Sequence, residues 1–196
     1  MDVAKRVKNM LLTPKTEWNV IEKEDDSHIK LLTTYLIWLA MIPAVAAFIG
    51  YGIIGFNMLG IHFDGFELGI KYALKYFLLM IGGAYLTAVA FNFFAANFEG
   101  KKSFNRAFQL AAYCYTPVCL GGIFYIYYSI TFLAGLLSLY ALYLLYLGAK
   151  PVMRIPHTKA MTYFAVSLLA MVLIYLVLSS LLESVIGIGS VAQLMR

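Results

Sequence analysis

Cys114 and Cys119 stand in a single apolar run, at a spacing that fits neither a disulfide framework nor a metal-binding set. They read as small buried apolar side chains. His28, His62 and His157 fall in three separate hydrophilic stretches, and His62 is expected on the opposite side of a membrane from the other two, which argues against a shared metal centre. No serine lies in a nucleophile-elbow context, no glycine-rich phosphate loop is present, and no acidic pair occupies an apolar run. Arg154 with His157 suits contact with a phosphate or a lipid headgroup and little more. No cofactor or metal is therefore expected, and an enzyme reading has almost no chemistry to rest on.

The elements that position these residues are hydrophobic. Apolar residues make up 62% of the chain and charged residues 13%, against roughly 45–50% and 25% in soluble domains. Long apolar stretches run from about Leu31 to Ile54, from Ile70 to Phe94, and from Met161 to Leu182. Each exceeds the roughly 20 residues that a helix needs to cross hydrocarbon. Between Arg106 and Lys150 there is no charge at all, and that length is too great for one span. It suits two helices with a tight turn near Ser129. The expected fold class is all-α: a polytopic membrane protein with five transmembrane helices and an N-terminal amphipathic interfacial segment. Residues 1–30 form a cytoplasmic leader, 31–184 the five-span domain and 185–196 a C-terminal tail.

Basic residues set the orientation. The leader holds Lys5, Arg6, Lys8, Lys15, Lys23 and Lys30; the loop after span 2 holds Lys101, Lys102 and Arg106; the loop after span 4 holds Lys150, Arg154 and Lys159. Of the 15 lysines and arginines, only Lys71, Lys75 and Arg196 are left for the other side. That other side also carries Asp64 and Glu67 in its first loop. The chain is expected in the cell's inner (plasma) membrane, with the N-terminus cytoplasmic and the C-terminus outside. Its net charge of +5 follows from this topology, because basic residues collect against an anionic leaflet, and nucleic acid is not expected as a partner.

In the leader, Val3, Val7, Met10 and Leu11 share one helical side, with Lys5 and Lys8 away from it, and Pro14 stops the segment. Such a helix suits the headgroup plane, with Trp18 as a second interfacial anchor. Docking on the protein's own loops and disorder are the other readings. The acidic run Glu22, Glu24, Asp25 and Asp26 reads as a solvated linker before span 1 or as a partner-binding patch.

Within the spans, Pro43 and Pro117 each remove an amide donor near mid-span and favour kinks there. Gly82, Gly83, Gly121 and Gly122 allow close helix approach, within the chain or across a homodimer. Asn92, Tyr113 and Tyr115 offer either helix-to-helix hydrogen bonds or the lining of a small polar path.

Three segments carry a family resemblance: TPKTEWNVI at Thr13–Ile21, AYCYTP at Ala112–Pro117, and YLLYLGAKPVMRIPHTKA at Tyr143–Ala160. Through them the chain resembles the Yip family of small five-span membrane proteins, in its prokaryotic branch, from Met10 to about Leu182. Tyr113 and Pro117 match the span 3 element of the eukaryotic members, with Ala112 in place of a glycine. The Asp-Leu-Tyr-Gly-Pro element that precedes span 1 in that branch has no counterpart here. The resemblance implies the five-span fold. In eukaryotic members it also implies vesicle trafficking, membrane shaping and contact with prenylated small GTPases through the N-terminal part.

The function expected from the sequence is that of a non-enzymatic integral membrane protein. It would organise or shape lipid and engage other membrane components: anionic lipids at the cytoplasmic face, other membrane proteins, and a second copy in a homodimer. Contact with lipid or partner would fall to Lys5, Arg6, Lys8, Trp18, Lys101, Lys102, Arg106 and Arg154. The alternative is a small transporter or channel for an ion or small solute, flexing at Pro43 and Pro117 with Asn92, Tyr113 and Tyr115 on its path.

Overall fold

The computed structural model describes residues 2–24, 26–58 and 60–188, the side chain of Met58 excepted. Asp25 of the acidic run and residues 189–196 of the expected tail, Arg196 included, lie outside the described residues.

Among the described residues, five helices are long and apolar enough to cross a membrane: His28–Ile54, Phe66–Asn97, Phe104–Ile126, Tyr128–Met153 and His157–Ile186, here spans 1 to 5. Two shorter helices precede them, α1 (Val3–Leu12) and α2 (Pro14–Ile21). The Asp2 carboxylate caps α1 by accepting from the Lys5 backbone N–H at 3.1 Å, and Pro14 opens α2 at a position where no amide donor is needed. The separation of spans 3 and 4 falls at Tyr127, whose extended backbone interrupts the helix two residues before Ser129.

Span 3 is the central helix. Of its apolar window 78% is buried within the protein, against 6% for span 5, which faces outward along nearly its whole length. Spans 1, 2 and 4 surround span 3, and span 5 packs on span 2 and more lightly on span 4. The difference follows composition. Span 3 is lined with Ala107, Ala111 and Ala112, which let neighbours close in, whereas span 5 presents Leu169, Leu173, Leu176 and Val177 to the surroundings.

Pro117 falls where the sequence places a break. The α-helix of span 3 ends at Cys114 and restarts over Thr116–Gly121 with the proline in its first turn. Pro43 differs: span 1 continues as α-helix through it over Ile37–Ala47 and loosens into π-helical turns at Leu32–Leu36 and Phe48–Ile54.

Gly82, Gly83, Gly121 and Gly122 make contacts within the chain. Gly83 receives the Tyr115 phenol, Gly121 faces Ala134 and Leu137 of span 4, and Gly82 faces Leu178 of span 5. Gly122 lies against Pro43, and a methyl group there would sit 2.8 Å from the Pro43 Cα, an atom that cannot rotate away. Gly122→Ala is expected to cost about 1–3 kcal/mol of stability, read as an earlier thermal transition in detergent. Gly135→Ala, with nothing within 4 Å of the new methyl, is the control and should leave the transition in place.

The loop between spans 1 and 2 forms a small antiparallel hairpin, β1 (Phe56–Met58) and β2 (Ile61–Phe63), paired Phe56 with Phe63 and Asn57 with His62. His62 Nδ1 and Asn57 Oδ1 lie 3.0 Å apart across it.

Candidate functional site

The leader folds back onto the bundle. Met10, Trp18 and Ile21, the apolar stripe of α1 and α2, are buried to within 1% of full enclosure and join one core with Tyr113, Leu144 and Met153. The Trp18 indole meets Tyr113 edge-on at 6.1 Å and rests on Gly148, where a methyl group would lie 2.6 Å from the ring. Tyr140 on span 4 donates its hydroxyl to the Leu11 carbonyl at 2.8 Å, which ties down the end of α1.

Arg6 is the polar centre of this docking. Its guanidinium is almost fully enclosed, stands 5.5 Å from the Tyr113 ring centre, and pairs with both Glu17 of α2 and Glu24 of the linker. Asn9 Nδ2 donates to the second Glu17 oxygen at 2.9 Å. Burial alone would lower the Arg6 pKa, but the hydrogen bond to Glu24, the Tyr113 phenol and the Glu24 and Glu17 carboxylates outweigh it and hold the pKa above its ordinary value, so the charge is permanent. From span 3, Arg106 donates to the Glu22 carbonyl at 3.1 Å and Gln109 to the Glu24 carbonyl at 3.3 Å. His28 closes the turn, its ring 2.8 Å from Asn105 Oδ1 and among Tyr85, Phe104 and Phe108.

This corrects the expectation of a leader lying in the headgroup plane. Trp18, Arg6 and Arg106 are enclosed by protein and do not face lipid. The physical reason is charge: Glu17 and Glu24 neutralise Arg6, so the apolar side of the leader can seal against spans 3 and 4 without stranding a cation. The acidic run is likewise more than a solvated linker, since Glu24 holds Arg6 and Asp26 pairs with Lys30 at 2.6 Å. The remaining cations of the expected set, Lys5, Lys8, Lys101, Lys102 and Arg154, are exposed. They lie on the leader's end of the bundle: the loop after span 2 meets that after span 4 through the Lys101 N–H, which donates to the Met153 carbonyl at 2.8 Å, and through the Lys159–Glu99 ion pair.

Inside the spans, hydroxyls pair between helices. Tyr35 lies 2.7 Å from Thr116, Tyr115 lies 3.3 Å from Thr87, and Tyr163 donates to the Phe91 carbonyl at 3.1 Å. Asn92 keeps a buried Oδ1 that accepts no hydrogen bond among the described residues. An ion pair not foreseen from spacing joins Lys75 of span 2 to Glu183 of span 5. The Lys75 ammonium is buried, 5.3 Å from the centre of the Tyr76 ring, and it fixes span 5 at the hairpin end. Its signal in the sequence was the lone acid near the end of span 5.

Among the described residues no three His, Cys, Asp or Glu side chains come together as a metal site, and both cysteines are buried thiols. The fold and this surface together define a multi-span integral membrane protein whose N-terminal helices are part of its folded core. The chain belongs to the Yip1-domain family, whose model matches residues 8–179. It is similar to the inner membrane protein YohC of Escherichia coli K12, with 28% identity over 185 residues covering 90% of this chain and 93% of that protein. YohC of Escherichia coli O6:H1 matches to the same extent. No solved structure matches the chain.

Proposed function

We propose that the protein is a non-enzymatic organiser of the inner membrane, oriented with its leader in the cytoplasm. Its rigid leader end holds Lys5, Lys8, Lys101, Lys102, Lys150 and Arg154 toward anionic headgroups and toward other membrane components. The observation that carries this reading is the division of labour among the cations. Arg6 and Arg106 are used up inside, while these six are exposed and have no ion-pair partner among the described residues. Juxtamembrane cations contribute about 1 kcal/mol each near an anionic leaflet. The likeness to an inner membrane protein supports the location, and the grouping of basic loops at one end supports the orientation.

Reconstitution into sealed vesicles with and without anionic lipid tests it. The protein should change the size distribution of the anionic vesicles, and a variant with Lys5, Lys8, Lys101 and Lys102 all changed to Gln should lose most of that change. Raising salt should act in the same direction, since screening sets in over roughly 10 Å at 0.1 M. Vesicles indistinguishable from protein-free ones, together with specific proton or ion flux, would replace this reading by the transport one.

A further inference from the structure

Where the end of α2 meets the end of span 4, an open cavity of about 520 Å³ is lined by Asn19, Glu22, Leu147, Lys150 and Arg154, together with Pro151, Ile155 and Pro156. Lys150 and Arg154 stand four residues apart at the end of span 4 and both line this space. Neither has an ionic partner among the described residues, and the same holds for the Glu22 carboxylate, whose residue is engaged through its backbone alone, the N–H donating to the Trp18 carbonyl and the carbonyl accepting from Arg106. Arg154 ends span 4 in the left-handed conformation, φ 53°, a position that glycine would fill at lower cost. The cavity lies at the end of span 4, and Leu147 lines it about one turn further into the span.

Two cations beside one carboxylate, over an apolar wall at the end of a span, are a poor fit for a simple anion, which would meet Glu22 as a like charge. They fit a group that carries phosphate and ammonium together. We propose that this cavity is a headgroup site for an ethanolamine phospholipid. Lys150 and Arg154 hold the phosphate, Glu22 accepts hydrogen bonds from the primary ammonium, and Leu147 borders the start of an acyl chain. A choline headgroup lacks the N–H donors that Glu22 requires. The assignment rests on the reading of the protein as a lipid-engaging organiser and names the lipid at one place on its surface.

Native mass spectrometry of the full chain in detergent, titrated separately with short-chain phosphatidylethanolamine, phosphatidylcholine and phosphatidylglycerol, tests it. Phosphatidylethanolamine should be retained most tightly, and Lys150→Gln and Arg154→Gly should each weaken it roughly tenfold. Arg154→Gly separates binding from folding, because glycine suits the left-handed position and the melting temperature should not fall. Glu22→Gln should erase the preference over phosphatidylcholine while leaving phosphatidylglycerol bound at least as well. Equal retention of the ethanolamine and choline lipids by the unaltered protein would overturn the proposal. So would ethanolamine binding indifferent to Lys150→Gln and Arg154→Gly, a phosphatidylglycerol preference that Glu22→Gln leaves unchanged, or full displacement of lipid by water-soluble glycerophosphoethanolamine. Vesicle remodelling reads Lys5, Lys8, Lys101 and Lys102 instead, so failure of the headgroup site and failure of the organiser reading give different results.

Discussion

Arg6→Ala should release the leader from the bundle. Removing the guanidinium leaves Glu17, itself almost fully enclosed, as an uncompensated buried carboxylate. Breaking a buried pair from one side costs about 3–5 kcal/mol. Glu24 adds less, since its side chain is 30% exposed and can hydrate when the partner is lost. The loss falls first on the docking of α1 and α2, so it should appear as tryptic cleavage after Lys15 and Lys23 while the spans stay intact. Where reclosing outpaces cleavage, the rate follows the open fraction, and 3 kcal/mol corresponds to a rise of roughly a hundredfold. Arg6→Met combined with Glu17→Leu removes both charges and should recover much of the protection. Cleavage of Arg6→Ala at the rate of the unaltered protein would mean that the ion pairs do not hold the leader down.

Trp18→Ala carries a comparable effect through packing. The indole fills the space between Tyr113 and Gly148, and truncating an enclosed tryptophan costs about 3–5 kcal/mol through lost transfer energy and the cavity left behind. Trp18→Phe should cost less than half of that. Quenching by lipid-borne bromine provides an independent readout, because the chain has two tryptophans and they are placed differently. Trp38 on span 1 is 66% exposed and should be quenched, whereas Trp18 in a Trp38→Phe background should be shielded. A Trp18 quenched as strongly as Trp38 would return the leader to the headgroup plane and undo the docking described above.

The two tryptophans also mark the boundary between what a sequence carries and what it does not. Bilayer thickness demands about 20 apolar residues per helix and excludes unpaired charge from them, so the five spans, the break at Pro117 and the gathering of basic loops at one end were legible from residue types alone. The fate of the leader was not. An apolar stripe at helical spacing is the same pattern whether it faces lipid or a neighbouring helix. What decides between them is where charges find partners. Arg6 meets Glu17 and Glu24 at 11 and 18 positions' remove, and Lys75 meets Glu183 across 108, separations that no periodicity encodes. Gly148 likewise gave no sign that it makes room for an indole from the leader. The membrane-spanning plan was therefore determined by the chain's own hydrophobicity against a solvent of fixed thickness. The closing of the leader over the bundle, the burial of Arg6 and the cavity beside Arg154 were decided only when helices distant in sequence came into contact, since ion pairing and close packing are properties of pairs of elements rather than of either alone.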